Sequence, residues 1–213
     1  DWKTSILTVH NPIGVDDFSR SNAARERLSY DEFFAHQLTL ALARMVAKKK
    51  SGMSTCGGER ERSALIKSLA YKLTNAQSRV ISEILKDMAE PKKMIRLLQG
   101  DVGSGKTIVA FFSLITAVSS RGQAVLMAPT EILARQHYEV FLGLAKAVGV
   151  KVDILTGRDS GRGRKTKLEA LASGSIQILV GTHAVFQQDV VFLNLRLVVV
   201  DEQHRFGVNQ RLE

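Results

Sequence analysis

The sequence predicts an α/β fold: a P-loop domain on a parallel β-sheet covered by helices on both faces, preceded by an N-terminal helical arm. Three observations carry this expectation. Short runs apolar on both faces alternate with helical patterns, as in a sheet buried on both sides. The string Gly100-Asp101-Val102-Gly103-Ser104-Gly105-Lys106-Thr107 stands between a strand run and an apolar helix. A second apolar run, residues 197–200, ends in Asp201-Glu202.

The elements follow in order. Residues 1–27 are polar and weakly patterned, with turn punctuation at Asn11-Pro12 and Gly14. A helix is expected over about 30–49, where Phe34, Leu38, Ala41, Leu42 and Met45 recur at helical spacing. Such a stripe should pack as a strut against an apolar surface. Residues 51–61 read as a flexible surface loop. A helix over 75–89 carries Val80, Ile81, Ile84, Leu85 and Met88 on one side. Strands are expected at 95–99, 124–128, 152–155, 176–180 and 197–200, and helices at about 106–120, 130–147 and 163–173. Connections between parallel strands bring ligand-binding loops to the strands' carboxyl ends.

Composition limits the function classes. The chain has 213 residues, 45% hydrophobic and 24% charged, with a net charge of +9. The basic balance suits anionic partners or simply a soluble surface. The single cysteine, Cys56, excludes an intrachain disulfide and suits a reducing cytosol. The longest near-apolar stretch, residues 107–118, is far short of the roughly 20 residues a membrane span needs, so no membrane association is expected. The first residue, Asp1, is not a methionine, which suggests a fragment.

The chemistry of the glycine-rich string is specific. Gly100, Gly103 and Gly105 let the backbone curl so that N–H groups, Ser104 among them, converge on phosphate oxygens at a helix N-terminus. Lys106 supplies a compact cation to the β- and γ-phosphates, and the Thr107 hydroxyl can hold Mg²⁺. This arrangement binds a nucleoside triphosphate. At the end of the 197–200 strand, Asp201 can hold Mg²⁺, and Glu202 can orient and deprotonate an attacking water. Lys106 and Glu202 are thus the candidate catalytic residues.

Asp201-Glu202-Gln203-His204, together with the P-loop string, resembles superfamily 2 helicases and translocases of the DExH type. The segment from Ala128-Pro129-Thr130 to Gln136-His137 looks like motif Ia of that superfamily, Thr156-Gly157 like motif Ib, and Val180-Gly181-Thr182-His183-Ala184 like its Gly-Thr-His segment. Arg205-Phe206-Gly207-Val208 narrows the likeness to the RecG family of branch-migrating DNA helicases and the transcription-repair coupling translocases. Ala128-to-Ala134, Tyr30-Asp31-Glu32 and His36-Gln37 look like the RecG family, and the likeness covers nearly the whole chain.

The resemblance implies a RecA-like helicase domain 1 over 63–213, truncated before a second motor domain. Residues 28–62 would be a helix and flexible loop, and 1–27 a linker or arm left from a preceding domain. It implies that Pro129, Thr130, Thr156 and Gly157 contact the DNA backbone. Thr130 can also cap the following helix, and Thr156-Gly157 can be a plain turn. It implies that Gln77 reads adenine and that Tyr71 stacks on the base. Thr74-x-x-Gln77 is also a capping box, and Tyr71 can equally be core. Phe206 can couple hydrolysis to DNA contact or simply pack, and His204 could link the nucleotide site to the second motor domain. The basic run from Arg158 to Lys167 can meet phosphate or form a solvated helix face.

The implied function is that of an ATP-dependent DNA helicase fragment acting on branched or double-stranded DNA, forks and Holliday junctions, in repair and recombination. ATP and Mg²⁺ would be its cofactors, and the bacterial cytosol or nucleoid its place. An arginine finger would come from the second RecA-like domain, and a wedge domain would grip the junction. The alternatives are a transcription-repair coupling translocase, a non-catalytic ATP-dependent binding module, an RNA helicase and a small-molecule P-loop enzyme.

Overall fold

The structure is a computed structural model that describes residues 1–19, 22–48 and 51–202. The chain divides into two compact units, Asp1–Ser51 and Gly52–Glu213.

The first unit is helical. Helix α1 spans Trp2–His10, where no helix was expected, because the Asp1 carboxylate accepts from the Thr4 N–H and caps its first turn. It packs along α2, Ala23–Lys48. Helix α2 begins seven residues before the apolar stripe suggested, at Asn22, whose side-chain oxygen accepts from the Ala24 N–H at 2.8 Å. Phe34, Leu38, Leu42 and Met45 are all about half exposed.

The second unit holds the sheet. Strands β1 (Gln123–Met127), β2 (Val152–Leu155), β3 (Ile178–Gly181) and β4 (Leu195–Val200) lie in the order β2-β3-β1-β4, all parallel. Side chains alternate between the faces. Ala124, Leu126, Val152, Ile154, Ile178 and Val180 face one core. They meet α4 (Asn75–Ala89), α5 (Lys106–Ser119) and α6 (Glu131–Val148) there. Val125, Met127, Leu155 and Leu179 face a smaller core under α7, Gly161–Ala172. Strands β1 and β3 are buried on both faces, as parallel strands should be, so beyond Gln123 they show no polar side in the sequence.

Four of the five expected strands form. Residues 95–99 do not join the sheet, although they keep an alternating pattern. Met94 and Leu98 pack on the larger core, Arg96 pairs with Glu83 and Asp87 of α4, and Ile95 and Leu97 are exposed. A parallel ladder needs a neighbouring strand, and none of the described residues supplies one here. Strand β4 has the same one-sided character, with Val198 and Val200 exposed on the face opposite Leu197 and Val199.

The segment expected as a flexible loop is partly helical and is tied down. Helix α3 spans Glu59–Ser68, and its Leu65 is fully buried. Ahead of it, the Thr55 N–H donates to the Met88 carbonyl at 2.8 Å, and the Ser120 hydroxyl donates to the Cys56 carbonyl at 2.7 Å. The Arg62 guanidinium donates to the Gly57 carbonyl and the Thr116 hydroxyl.

One buried polar side chain closes the end of the sheet opposite the P-loop. Gln123 is 3% exposed, donates through Nε2 to the carbonyls of Leu171 and Ile176, and accepts the Asn194 N–H. Gln123→Leu strands all three groups. It should lower unfolding free energy by at least about 2 kcal/mol, read as a shifted urea midpoint at unchanged slope.

Candidate functional site

Four parallel strands deliver their carboxyl ends to one edge of the sheet. Pro129-Thr130 follows β1, Thr156-Gly157 follows β2, Thr182-His183 follows β3, and Asp201-Glu202 follows β4. The connections from the neighbouring strands β1 and β3 run in opposite directions along the sheet, and such folds usually bind ligands in the crevice this opens at the strands' carboxyl ends.

The P-loop opens α5. Gly103 and Gly105 have φ of +79° and +81°, a region that suits glycine. A side chain at Gly105 would also meet the Gln77 amide nitrogen, at 2.4 Å from an added Cβ. Gln77 explains the crowding. Its Nε2 donates to the Ser104 carbonyl at 2.9 Å, while its Oε1 accepts the Thr74 N–H at 2.9 Å. The Thr74 hydroxyl returns a bond from the Gln77 N–H, completing the capping box of α4. One glutamine therefore caps a helix and braces the phosphate loop. The Lys106 ammonium donates to the carbonyls of Gly100 and Asp101, both at 2.7 Å, at the mouth of the same loop. Tyr71 is half exposed and lines a pocket of about 360 Å³ that Gly105 and Thr107 also line.

The acids stand across from this loop. The Asp201 N–H donates to the Met127 carbonyl at 2.8 Å, which fixes its backbone beside β1. Its carboxylate Oδ2 lies 2.7 Å from His137 Nε2 on α6. That hydrogen bond holds the Asp201 carboxyl below its ordinary value against the opposing effect of burial, and the nearby Lys106 charge adds to the depression. Lys106 and Asp201 thus share one end of the sheet. Glu202 follows with φ +49°, a left-handed conformation that costs a non-glycine residue about 1 kcal/mol and that clusters at functional sites. Gln203 to Val208, including His204, Arg205 and Phe206, lie outside the described residues.

The donor set suits magnesium. Thr107 and Asp201 offer hard oxygens, and no group of three or more His, Cys, Asp or Glu that could cage a metal occurs among the described residues. Magnesium is commonly held this way, by one or two protein oxygens with phosphates and waters completing the shell. Gly103 and Gly105, with left-handed φ at the N-terminus of α5, have the geometry that a matching anion cradle needs.

The rim beside this crevice carries the other expected residues. Thr130 caps α6, its hydroxyl accepting the Leu133 N–H at 3.3 Å. Thr156 is 1% exposed, and both its N–H and its hydroxyl bond the Asp159 carboxylate. Its side chain therefore shapes the turn, and Gly157 and Arg158 form the surface. Arg158 pairs with Glu131 at 3.1 Å, joining the start of α6 to the β2 turn. The basic run that follows is largely paired. Arg164 bonds Asp189, and Lys167 bonds Asp159 and the Ile154 carbonyl.

Two groups escaped the sequence reading. His137 had a usable signal: with Ala134 and Phe141 it lies on the buried stripe of α6, where a polar residue needs a partner. Asp159 had one too: three residues after Thr156, its carboxylate is within reach of a local turn.

Gly105→Ala should destabilise the domain by about 1–2 kcal/mol through its φ alone and should displace Gln77 from Ser104. Thermal unfolding and fluorescent-nucleotide binding would both register the change. Burial raises the Asp159 carboxyl, but hydrogen bonds from Lys167 and Thr156 outweigh it and leave the group below 3.8. A depressed carboxyl contributes stability above 3.8 that is lost as pH falls through its folded value. Asp159→Asn should therefore lower the neutral-pH melting temperature and flatten its fall in acid, as followed by circular dichroism.

Comparison with known proteins agrees with this geometry. Residues 74–213 match the DEAD/DEAH box helicase family. The chain is 42% identical to "ATP-dependent DNA helicase RecG" of Escherichia coli (strain K12) over 98% of its length, and 46% identical to that of Bacillus subtilis over 99%. It spans 31% of the length of each of these relatives. A solved structure, "Structure of RecG bound to three-way DNA junction", superposes with a TM-score of 0.79 at 42% identity, covering 86% of this chain and 25% of that one. A hypothetical ATP-dependent RNA helicase from Sulfolobus tokodaii shares the fold, with a TM-score of 0.52 at 20% identity over 68% of this chain and 42% of that one. The four-stranded parallel sheet is that of a RecA-like helicase domain, and the chain belongs to the DEAD/DEAH box helicase family.

Proposed function

We propose that this chain is the first motor domain of an ATP-dependent DNA helicase that remodels branched DNA, such as forks and Holliday junctions, in repair and recombination. The observation that carries the reading is the meeting of the Lys106 loop and Asp201 at one sheet edge, in a chain 42–46% identical to the RecG proteins above. The RecG name of these relatives favours this reading over a transcription-repair coupling translocase. Intact Lys106, Thr107, Asp201 and Glu202 favour it over a non-catalytic binding module.

In this reading the P-loop amides from Gly100 to Gly105 hold the phosphates, and Lys106 neutralises the β- and γ-phosphate charge. Thr107 and Asp201 would hold Mg²⁺, which supplies charge neutralisation at the transferring phosphoryl group. Glu202 orients the attacking water and takes its proton. Gln77 retains one amide hydrogen and one oxygen lone pair beyond its structural bonds, the pair an adenine edge requires. Tyr71, which lines the adjoining pocket with Gly105 and Thr107, would stack on that base. The DNA backbone would run along the rim at Pro129, Thr130 and Gly157, where the α6 N-terminus and Arg158 favour phosphate, with buried Thr156 holding the turn. A second RecA-like domain would supply an arginine finger, and a wedge domain would grip the junction. The work would take place in the bacterial cytosol or nucleoid. No described helix is long and apolar enough to cross a membrane.

The test is DNA-stimulated ATP hydrolysis and junction unwinding by the whole protein. Lys106→Ala should lower turnover about 100-fold or more, and Glu202→Gln about 10²–10⁴-fold. Junction binding should survive in both. Unwinding that persists in both variants would refute the motor reading.

A further inference from the structure

We propose that His137 is a positioning residue for Asp201, through which helix α6 sets the carboxylate that receives the metal. The inference rests on the reading above, in which Asp201 holds Mg²⁺.

The geometry is tight on both sides of the bond. His137 Nε2 and Asp201 Oδ2 are 2.7 Å apart, and the histidine side chain is only 14% exposed. The Asp201 backbone is fixed on Met127, and its carboxylate is held by the Glu202 N–H and, from α6, by the histidine, which together set its rotation. The histidine takes Oδ2, and the carboxylate's remaining lone pairs stay available to a cation. The ring is itself held. Its centroid lies 6.1 Å from that of Phe141, which is fully buried and stands 4.8 Å from Phe111 of the P-loop helix α5. A packed row therefore runs from α5 through α6 to the end of β4.

The same helix reaches the rim. His137 lies two turns after Thr130, the cap of α6, and Glu131 in the first turn pairs with Arg158 of the β2 turn. A ligand that engages the α6 N-terminus and displaces Glu131 from Arg158 acts on a rigid rod whose next inward polar side chain grips Asp201. The metal-binding acid thereby responds to contacts made at the rim. Groups that orient a ligand from behind commonly matter 10–100-fold in metal affinity.

The experiment uses the whole protein and a fluorescent ATP analogue, with binding measured across a Mg²⁺ titration, with and without junction DNA. His137→Gln keeps an amide N–H near the Nε2 position, whereas His137→Asn is too short to reach. The Asn variant should need about 10-fold more Mg²⁺ for half-maximal nucleotide binding. Its binding in EDTA should be unchanged, and DNA should no longer lower its Mg²⁺ requirement. The Gln variant should recover both properties. If Asn and Gln both keep the parent's Mg²⁺ midpoint, or both lose it equally, the positioning role is overturned and the ring is only packing. Lys106→Ala separates the two levels. Nucleotide binding indifferent to Lys106 would refute the proposed function itself, whereas sensitivity to Lys106 without sensitivity to His137 would refute only this inference.

Discussion

The parallel direction of four strands is the constraint on which the rest depends. It brings the segments after β1, β2, β3 and β4 to one edge, though they are spread over some 75 residues of chain. An antiparallel arrangement of the same strands would place half of these segments at the far end. The hydrogen bond from the Asp201 N–H to the Met127 carbonyl extends the β1–β4 ladder one step beyond the strands, so the first acid is held by the backbone as well as by its side chain. Gln123 does comparable work at the opposite end, where it closes the sheet against the end of α7.

The site combines stored strain with dense local support. Glu202 and the loop glycines adopt left-handed conformations that the chain would not choose alone. Around them the polar side chains carry more than one bond each. Gln77 braces Ser104 while capping α4, and Asp159 binds both Thr156 and Lys167. Such doubly used groups make the phosphate loop and the β2 turn stiff, which favours a site organised ahead of ligand binding.

Much of this was legible in the sequence, for physical reasons that differ by element. Helix α4 begins and ends where the Thr74-x-x-Gln77 box and its apolar face require, and α5 starts at Lys106 because the glycines cannot continue a helix backwards. The strands under both cores announced themselves as continuous apolar runs. Residues 95–99, read as a fifth such run, formed no ladder: an apolar run does not report the presence of a neighbour, and Ile95 and Leu97 stay exposed. Helix α1 was missed because its start depends on one capping carboxylate rather than on an apolar stripe. The P-loop and acid pair were readable as strings; the buried stripe of α6 shows that His137 needs a partner, but the bond joins residues 64 positions apart, and no local pattern names Asp201 as that partner.

The bare flank of β4 has a consequence for handling. Among the described residues β4 is an edge strand with one charged side chain, Arg196, which bonds Asn194, and Val198 and Val200 leave one of its faces apolar and exposed. An uncapped hydrophobic rim of this kind templates strand addition from another molecule. Concentrated preparations of this segment would then self-associate edge to edge, whatever repulsion its surplus of basic residues provides.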